Sequence, residues 1–161
     1  MATYNSIVKG LCMRWNLDKI LQFVDRLRKK GLQPDAFTYS CLLEAAYKER
    51  RLYEAMKLLD EIIAEGGKLD LSCYNVLLTG LSKEGRTEEA ISFFWNLREK
   101  GFYPNVVSYN ILLQALCWEG RWNEAYELLA EMYDEDHSPD RFTYSIFGQF
   151  TRFPWPSRSC F

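Results

Sequence analysis

The side chains best suited to recognise a ligand are a series of amides and hydroxyls, each following a tyrosine. The tyrosines recur every 35 residues, and the polar residues after them are Asn5, Ser40, Asn75, Asn110 and Ser145. The first four of these are each followed, always at the same distance along the chain, by an acidic or amide residue. These later residues are Asp35, Asp70, Asn105 and Asp140. Such groups can form hydrogen bonds with the edge of a polar ligand. They can also satisfy backbone N–H groups at a helix start, but a cap does not require a restricted partner so far along the chain.

The sequence contains no arrangement typical of an enzyme or a metal site. His137 is the single histidine, so neither a zinc site nor a catalytic triad can be built around it. The cysteines, none of which forms a C-x-x-C pair, are Cys12, Cys41, Cys73, Cys117 and Cys160. Four of them fall on predicted helices, and we interpret them as small core residues in a reduced compartment. We therefore predict no enzymatic activity, no cofactor and no metal.

Composition limits the kinds of partner. Apolar residues make up 48% of the 161 residues, which argues against intrinsic disorder. Lysine and arginine number 20 against 22 acids, for a net charge of −2. A nucleic-acid site must therefore be local, because the whole chain does not attract polyanions. No apolar run is long enough to span a bilayer, and the repeat begins at Met1, so we expect neither a membrane partner nor a presequence in this chain.

The elements that carry these residues are predicted to be pairs of helices. A fixed period of this length indicates a solenoid whose units bury their apolar faces against their neighbours. In each unit the tyrosine starts one amphipathic helix, and a second helix follows near the middle of the unit. The Thr or Ser before most tyrosines is predicted to be the N-cap. Gly31, Gly66 and Gly101 are predicted to end the second helix in a left-handed conformation, and Asp136 at that position predicts a less regular end.

The period divides the chain into four full units, a partial unit and a tail. The predicted boundaries are 1–35, 36–70, 71–105, 106–140, a partial fifth repeat at 141–150 and a divergent tail at 151–161. In the tail region, Phe147, Phe150, Phe153 and Trp155 are predicted to fold back as an apolar lid. The first unit has no such cap, which predicts a homodimer through the uncapped terminal repeats.

Several short motifs of the sequence are typical of a known family. These are the Thr-Tyr-Asn opening, the Gly-Arg-x-x-Glu-Ala middle that begins at Gly85 and Gly120, the late glycine and the closing Pro-Asp. In these features the chain resembles the pentatricopeptide repeat proteins of the P type over residues 1–140, with a partial repeat to about residue 150. The resemblance implies an all-α fold, a right-handed α-α superhelix (solenoid) of 35-residue helix-turn-helix repeats.

The resemblance also implies single-stranded RNA as the partner, with each repeat reading one base. The residues that correspond to the base-reading pairs are Asn5 with Asp35, Ser40 with Asp70, Asn75 with Asn105, and Asn110 with Asp140. In 5′ to 3′ order these pairs resemble readers of U, G, C or U, and U. The residues at the base-flanking position are Ala2, Phe37, Ser72, Val107 and Phe142, and those at the phosphate position are Lys48 and Lys83. Met13 and Trp118 occupy the phosphate position in the outer repeats.

The resemblance further implies organellar RNA stabilisation, splicing or processing, in a plastid or mitochondrion, with a chloroplast slightly preferred. Any cleavage or editing would need a recruited processing factor, because the chain contains no deaminase pattern or acidic metal cluster. Two alternatives remain at this point: a helical-repeat scaffold that binds proteins, and a truncated family member that does not bind RNA.

Overall fold

The computed structural model describes residues 2–14, 17–66 and 69–150, with only the backbone described at residues 2–5 and 150. Within these ranges the secondary structure is helical, without a β-strand, which confirms the all-α fold class. The helices are α1 (Ala2–Arg14), α2 (Leu17–Lys29), α3 (Ala36–Lys48), α4 (Leu52–Ala64), α5 (Leu71–Lys83), α6 (Thr87–Glu99), α7 (Val106–Trp118), α8 (Trp122–Asp134) and α9 (Arg141–Phe150). None of these described helices combines the length and the apolar character that a membrane span requires.

The first of two compact units covers Met1–Gly80. In this unit α1 packs against α2 and α3, and α3 also packs against α2 and α4. The tyrosine of the repeat, Tyr39 in α3, is buried together with Leu42, Leu43 and Ala46 at helical spacing. Each fully buried leucine contributes about 1.5–3 kcal/mol of transfer free energy, so contacts with neighbouring helices are the main stabilising term. A single helix pair could not bury this stripe alone.

Gly80 in α5 lies close to the side chains that precede it in this first unit. A Cβ added at Gly80 would be 2.9 Å from Leu52 Cδ1 and 3.1 Å from Tyr47 Cδ2. Gly10 in α1 is different, since no atom outside its own helix lies within 4 Å of the equivalent position. An added Cβ would therefore force Leu52 and Tyr47 to shift at Gly80, whereas the space at Gly10 is open.

The second unit covers Leu81–Phe161, and its central helix is α7, which packs against α6, α8 and α9. Tyr109 of α7 is buried, and its ring meets that of Phe94 edge-on with 5.0 Å between the centroids. Edge-to-face pairs at this distance add a favourable quadrupole interaction to the burial. Tyr109 is therefore buried in this unit, as Tyr39 is in the first.

Part of the predicted apolar lid lies within the described residues. Phe147 of α9 is buried, and its ring stacks on Tyr126 of α8 with 5.6 Å between the centroids. The side chain of Phe150, together with Phe153 and Trp155, lies outside the described residues. The lid thus stays a prediction beyond Phe147.

The structure corrects the predicted helix starts. Asp35 is the N-cap of α3, with an extended backbone, and its carboxylate accepts the Thr38 N–H at 2.9 Å. Asn105 caps α7 in the same way through the Ser108 N–H, and Ser108 Oγ accepts the Asn105 N–H in return. Thr38 and Ser108, which precede the tyrosines, are therefore each the third helical residue and not the N-cap, and Ser108 completes a capping box. Both residue types cap well, so the backbone conformation decides between them.

The predicted glycine ends of the second helices are confirmed. Gly31, Gly66 and Gly101 have φ values of 75°, 74° and 81°. The prediction of a less regular end for α8 is wrong, because Asp136 adopts the same left-handed conformation with φ 59°. The His137 N–H then donates to the Met132 carbonyl at 2.9 Å, the bond that closes a Schellman motif. Asp is among the few residues other than glycine that adopt this conformation readily.

The cysteines within the described residues pack as small core residues, as predicted. Cys41, Cys73 and Cys117 are buried, Cys12 is partly buried, and all four are free thiols. Burial raises the pKa of Cys12 to about 12 and that of Cys73 and Cys117 to about 11. These thiols are therefore protonated at neutral pH and poor nucleophiles. Cys160 lies outside the described residues.

Candidate nucleic-acid interface

The most complete arrangement of predicted base-reading residues is in the second unit, where α7 meets the start of α9. The Asn110 side chain on α7 donates from Nδ2 to Asp140 Oδ1 at 3.1 Å. Thr143, in the first turn of α9, donates from Oγ1 to Asn110 Oδ1 at 2.6 Å. Asn110 is only 3% exposed and Thr143 is fully buried. Both polar atoms of the Asn110 amide are thus held by residues at the boundary with the next repeat.

Asp140 also caps α9. Its carboxylate accepts the Thr143 N–H at 2.9 Å, and Thr143 Oγ1 accepts the Asp140 N–H at 3.1 Å. The Thr143 N–H is the largest contribution that lowers the pKa of Asp140, and the Asn110 amide lowers it further. The carboxylate is therefore ionised at neutral pH, and it draws the Asn110 N–H towards itself as a charge-assisted hydrogen bond.

The equivalent pair in the first unit is arranged differently. Ser40 Oγ lies 3.0 Å from Cys73 Sγ, and the Asp70 carboxylate accepts the Cys73 N–H at 3.2 Å. Among the described side chains, Ser40 and Asp70 share no hydrogen bond. Cys73 occupies the position that Thr143 has in the second unit, and its thiol is the weaker hydrogen-bonding group. The predicted pair of Ser40 and Asp70 is therefore linked through Cys73.

The other two predicted pairs are Asn5 with Asp35 and Asn75 with Asn105. The Asn5 side chain lies outside the described residues, whereas its partner Asp35 is the N-cap of α3. Asn75 is half-buried on α5 in the first unit, and Asn105 is the N-cap of α7 in the second. The roles of all four residues stay predictions.

The predicted base-flanking residues are exposed wherever their side chains are described. They are Phe37 on α3, Ser72 on α5, Val107 on α7 and Phe142 on α9. The side chain of Ala2 lies outside the described residues. An exposed Phe or Val at the start of a helix offers a flat or branched apolar surface on which a base can pack.

The predicted phosphate residues Lys48 and Lys83 are exposed near the ends of α3 and α5. Lys48 Nζ forms an ion pair with Glu44 Oε1 at 2.9 Å, and this hydrogen bond is the main reason why the pKa of Lys48 is raised. A phosphate at Lys48 would therefore have to compete with Glu44. At the equivalent position of the outer repeats, Met13 is 76% exposed and Trp118 is 63% exposed.

Thr143 and Cys73 contact the predicted base-reading residues Asn110 and Ser40, which the sequence pattern did not predict. Thr143 was predicted to be a helix cap and Cys73 a small core residue, and neither was connected with the preceding repeat. The available signal was the spacing: Asn110 and Thr143 are 33 residues apart, and Ser40 and Cys73 have the same separation. His137 does not belong to the site, and its ring packs against Tyr109 at 5.7 Å. No cluster of three metal-binding side chains occurs among the described residues.

Helix pairs on a 35-residue period, joined at their boundaries by polar pairs such as Asn110 and Asp140, define a helical-repeat protein. A family model described as "PPR repeat family" matches residues 1–48, 69–117 and 104–147, and a second model, "PPR repeat", matches residues 37–67. The chain belongs to the pentatricopeptide repeat family, as the resemblance predicted. A comparison with curated proteins finds no significant match.

Solved structures of this family share the fold. The pentatricopeptide repeat protein PPR10 in complex with an 18-nucleotide psaJ RNA element is 30% identical, with a TM-score of 0.78 over 91% of this chain. PPR10 from maize in a further structure is 29% identical, with a TM-score of 0.75 over 91% of this chain. The chain spans 22% and 21% of those two chains. The PPR domain of Arabidopsis thaliana protein-only RNase P 1, in complex with tRNA, is 17% identical with a TM-score of 0.70, over 92% of this chain and 80% of that one. These matches confirm the helical-repeat fold class.

Proposed function

We propose that this protein binds single-stranded RNA and that each full repeat reads one base, with the preference U-G-C/U-U from 5′ to 3′. The observation that carries the proposal is the hydrogen-bonded pair of Asn110 and Asp140 at a repeat boundary. The 30% identity to a family member whose structure was solved with RNA supports the same class of ligand. Exposed apolar residues at the base-flanking position supply surfaces for stacking.

The chemistry of the pair favours a base with a donor and an acceptor side by side. Asn110 uses one amide hydrogen on Asp140 and one lone pair on Thr143. One hydrogen and one lone pair of the amide remain, and together they match the N3–H and the neighbouring carbonyl of uracil. Guanine presents the same donor and acceptor at N1–H and O6, so the assignment of uracil to the fourth repeat follows from the resemblance of Asn with Asp to a uracil reader, with which the geometry is consistent.

We infer that the chain acts without catalysis of its own, in the stabilisation, splicing or processing of organellar RNA. Any cleavage or editing would then depend on a recruited processing factor. We also propose a plastid or mitochondrion as the location, which a fluorescent fusion in plant cells would test. Self-association through the first repeat is a separate prediction, and a strictly monomeric mass in light scattering would contradict it.

The test is fluorescence anisotropy with short RNAs that carry U-G-C-U or the same bases in scrambled order. We expect tighter binding of the ordered RNA, because the scrambled RNA keeps the sequence-tolerant stacking but loses edge contacts worth about 1–3 kcal/mol of discrimination for each correctly paired base. Asn110→Ser should move the preference at the fourth base from U towards G, since Ser with Asp resembles a guanine reader.

The matched control is Asn123→Ser, because Asn123 is exposed on α8 and outside the interface. It should bind both RNAs as the original protein does. Equal and weak binding of the ordered and scrambled RNAs by the original protein would disprove base reading, and a protein-binding scaffold would then be the better interpretation.

A further inference from the structure

The Asn110 amide has two orientations, and its neighbours determine which one it adopts. With Nδ2 towards Asp140 and Oδ1 towards Thr143, each contact joins a donor to an acceptor, at 3.1 Å and 2.6 Å. If the amide flipped, Oδ1 would face the Asp140 carboxylate, so two acceptors would meet. The Thr143 hydroxyl would then lose the acceptor of its shortest hydrogen bond.

The Thr143 hydroxyl has one hydrogen and two acceptors within reach. Asn110 Oδ1 is at 2.6 Å and Asp140 Oδ1 is at 3.0 Å. Asp140 Oδ1 already accepts the Thr143 N–H and the Asn110 amide. The hydrogen therefore belongs on Asn110 Oδ1, where no other described donor satisfies the oxygen. Since Thr143 is fully buried, water cannot replace this bond readily.

We propose that Thr143 is a positioning residue for base selection, and that it makes the preceding repeat prefer uracil over cytosine by preventing the Asn110 amide from flipping. This inference rests on the proposed function. Uracil presents its acceptor at position 4 and its donor at position 3, whereas cytosine presents the two in the opposite order. If the base keeps the same pose, flipping the Asn110 amide would therefore change the preferred base from uracil to cytosine.

The two units differ in the residue at the position of Thr143, which is the third residue of its repeat. In the first unit the residue that contacts the preceding reader is Cys73, with its sulfur 3.0 Å from Ser40 Oγ. A thiol is a weaker donor and acceptor than a hydroxyl, so it holds the reader less firmly. The base selectivity of a repeat thus depends on the third residue of the repeat that follows it.

The experiment compares RNAs that differ only at the fourth base, U-G-C-U and U-G-C-C, with variants of the full chain. Thr143→Val keeps the shape and removes the hydroxyl, and it should lower the ratio of uracil to cytosine affinity about fivefold or more. Thr143→Ser restores the hydroxyl and should keep the ratio within about twofold of the original. Cys73→Thr should sharpen the preference for guanine at the second base.

Thr87→Val is the matched control. Thr87 is a buried threonine in the same unit whose hydroxyl donates to Glu119 Oε1 at 2.6 Å, away from Asn110. Removal of the Thr87 hydroxyl should change the unfolding midpoint but not the ratio of uracil to cytosine affinity. Urea unfolding of both variants separates a loss of stability from a loss of selectivity.

Two results would overturn the inference, and they differ in what they imply for the proposed function. If Thr143→Val keeps the original ratio while Asn110→Ser changes the preferred base, repeats read bases but Thr143 does not orient the reader. If neither substitution affects base preference, both the positioning role and the modular reading of RNA are wrong.

Discussion

At the scale of single residues, Asp140 combines two functions in one carboxylate. It accepts the Thr143 N–H as the cap of α9, and it accepts the Asn110 amide from the preceding repeat. Both hydrogen bonds favour the ionised carboxylate, so its pKa is lowered. The stabilisation it provides is present above the ordinary pKa of an aspartate and is lost as the pH falls through the lowered value. Protein stability and the orientation of Asn110, the proposed base-reading residue, are therefore linked by the same charge.

A residue-scale prediction concerns Glu44, which would compete with the phosphate of a bound RNA for Lys48. Glu44→Gln removes the ion pair and should strengthen RNA binding about two- to fivefold, because exposed pairs of this kind are worth at most about 1 kcal/mol. Anisotropy titration at low salt measures the change. Glu61→Gln breaks the similar Lys57–Glu61 pair on α4 and should have no effect. Equal affinity in the Glu44 variant and the original protein would place the phosphate away from Lys48.

The repeat spacing places Asn110 near Asp140 and Ser40 near Cys73, but it does not reveal which neighbour forms the hydrogen bond. Because Asn110 and Asp140 are 30 residues apart in a chain with a 35-residue period, stacking of the repeats places them at facing helix starts. Which of several neighbours forms the hydrogen bond depends on sub-ångström differences in distance and on a thiol replacing a hydroxyl. No spacing in the sequence reveals such differences.

At the scale of helices, the apolar periodicity predicted the element type, since each stripe must face a neighbour. The position of the N-cap was wrong because Asp35 and Thr38 are both good caps, and only the extended backbone at Asp35 identifies it. The prediction of a less regular end for α8 was also wrong, because a residue other than glycine can adopt the left-handed conformation that ends the helix. Element boundaries thus depend on backbone dihedrals that composition does not determine.

Two glycines within helices give an element-scale prediction. Gly10→Ala should raise the free energy of unfolding by about 0.5–1 kcal/mol, because alanine favours the helix and the site is open. Gly80→Ala should lose that gain or destabilise the protein, because its Cβ would meet the buried Leu52 and the half-buried Tyr47. Urea unfolding of the two variants measures the difference. An equal gain at both sites would show that α5 can move away from Leu52 and Tyr47 at little cost.

At the scale of the whole molecule, the net charge of −2 means that electrostatics adds little to RNA affinity. With two candidate phosphate contacts, at Lys48 and Lys83, the logarithm of the binding constant should fall with the logarithm of salt concentration with a slope of about 1.4. Trp118→Lys places a third cation at the equivalent position, which is exposed, and should steepen the slope by about 0.7.

The control for this variant is Tyr53→Lys, which adds the same charge at an exposed position on α4. It should leave the slope nearly unchanged. Equal slopes for the two lysine variants would mean that RNA does not follow the helix ends at which Lys48, Lys83 and Trp118 lie.

The hydrogen bonds of Asn110 cross the boundary at which the sequence repeats. A 35-residue segment 106–140, moved elsewhere by recombination or by design, would carry Asn110 and Asp140 and leave Thr143 behind. Its new neighbour would supply the third residue, a threonine in one place and a cysteine in another. Two shuffled arrays with identical sets of repeats in different order would then recognise RNA with different fidelity. Assembly of artificial readers from such modules should therefore exchange segments that begin after the third residue of a repeat and end with the third residue of the next.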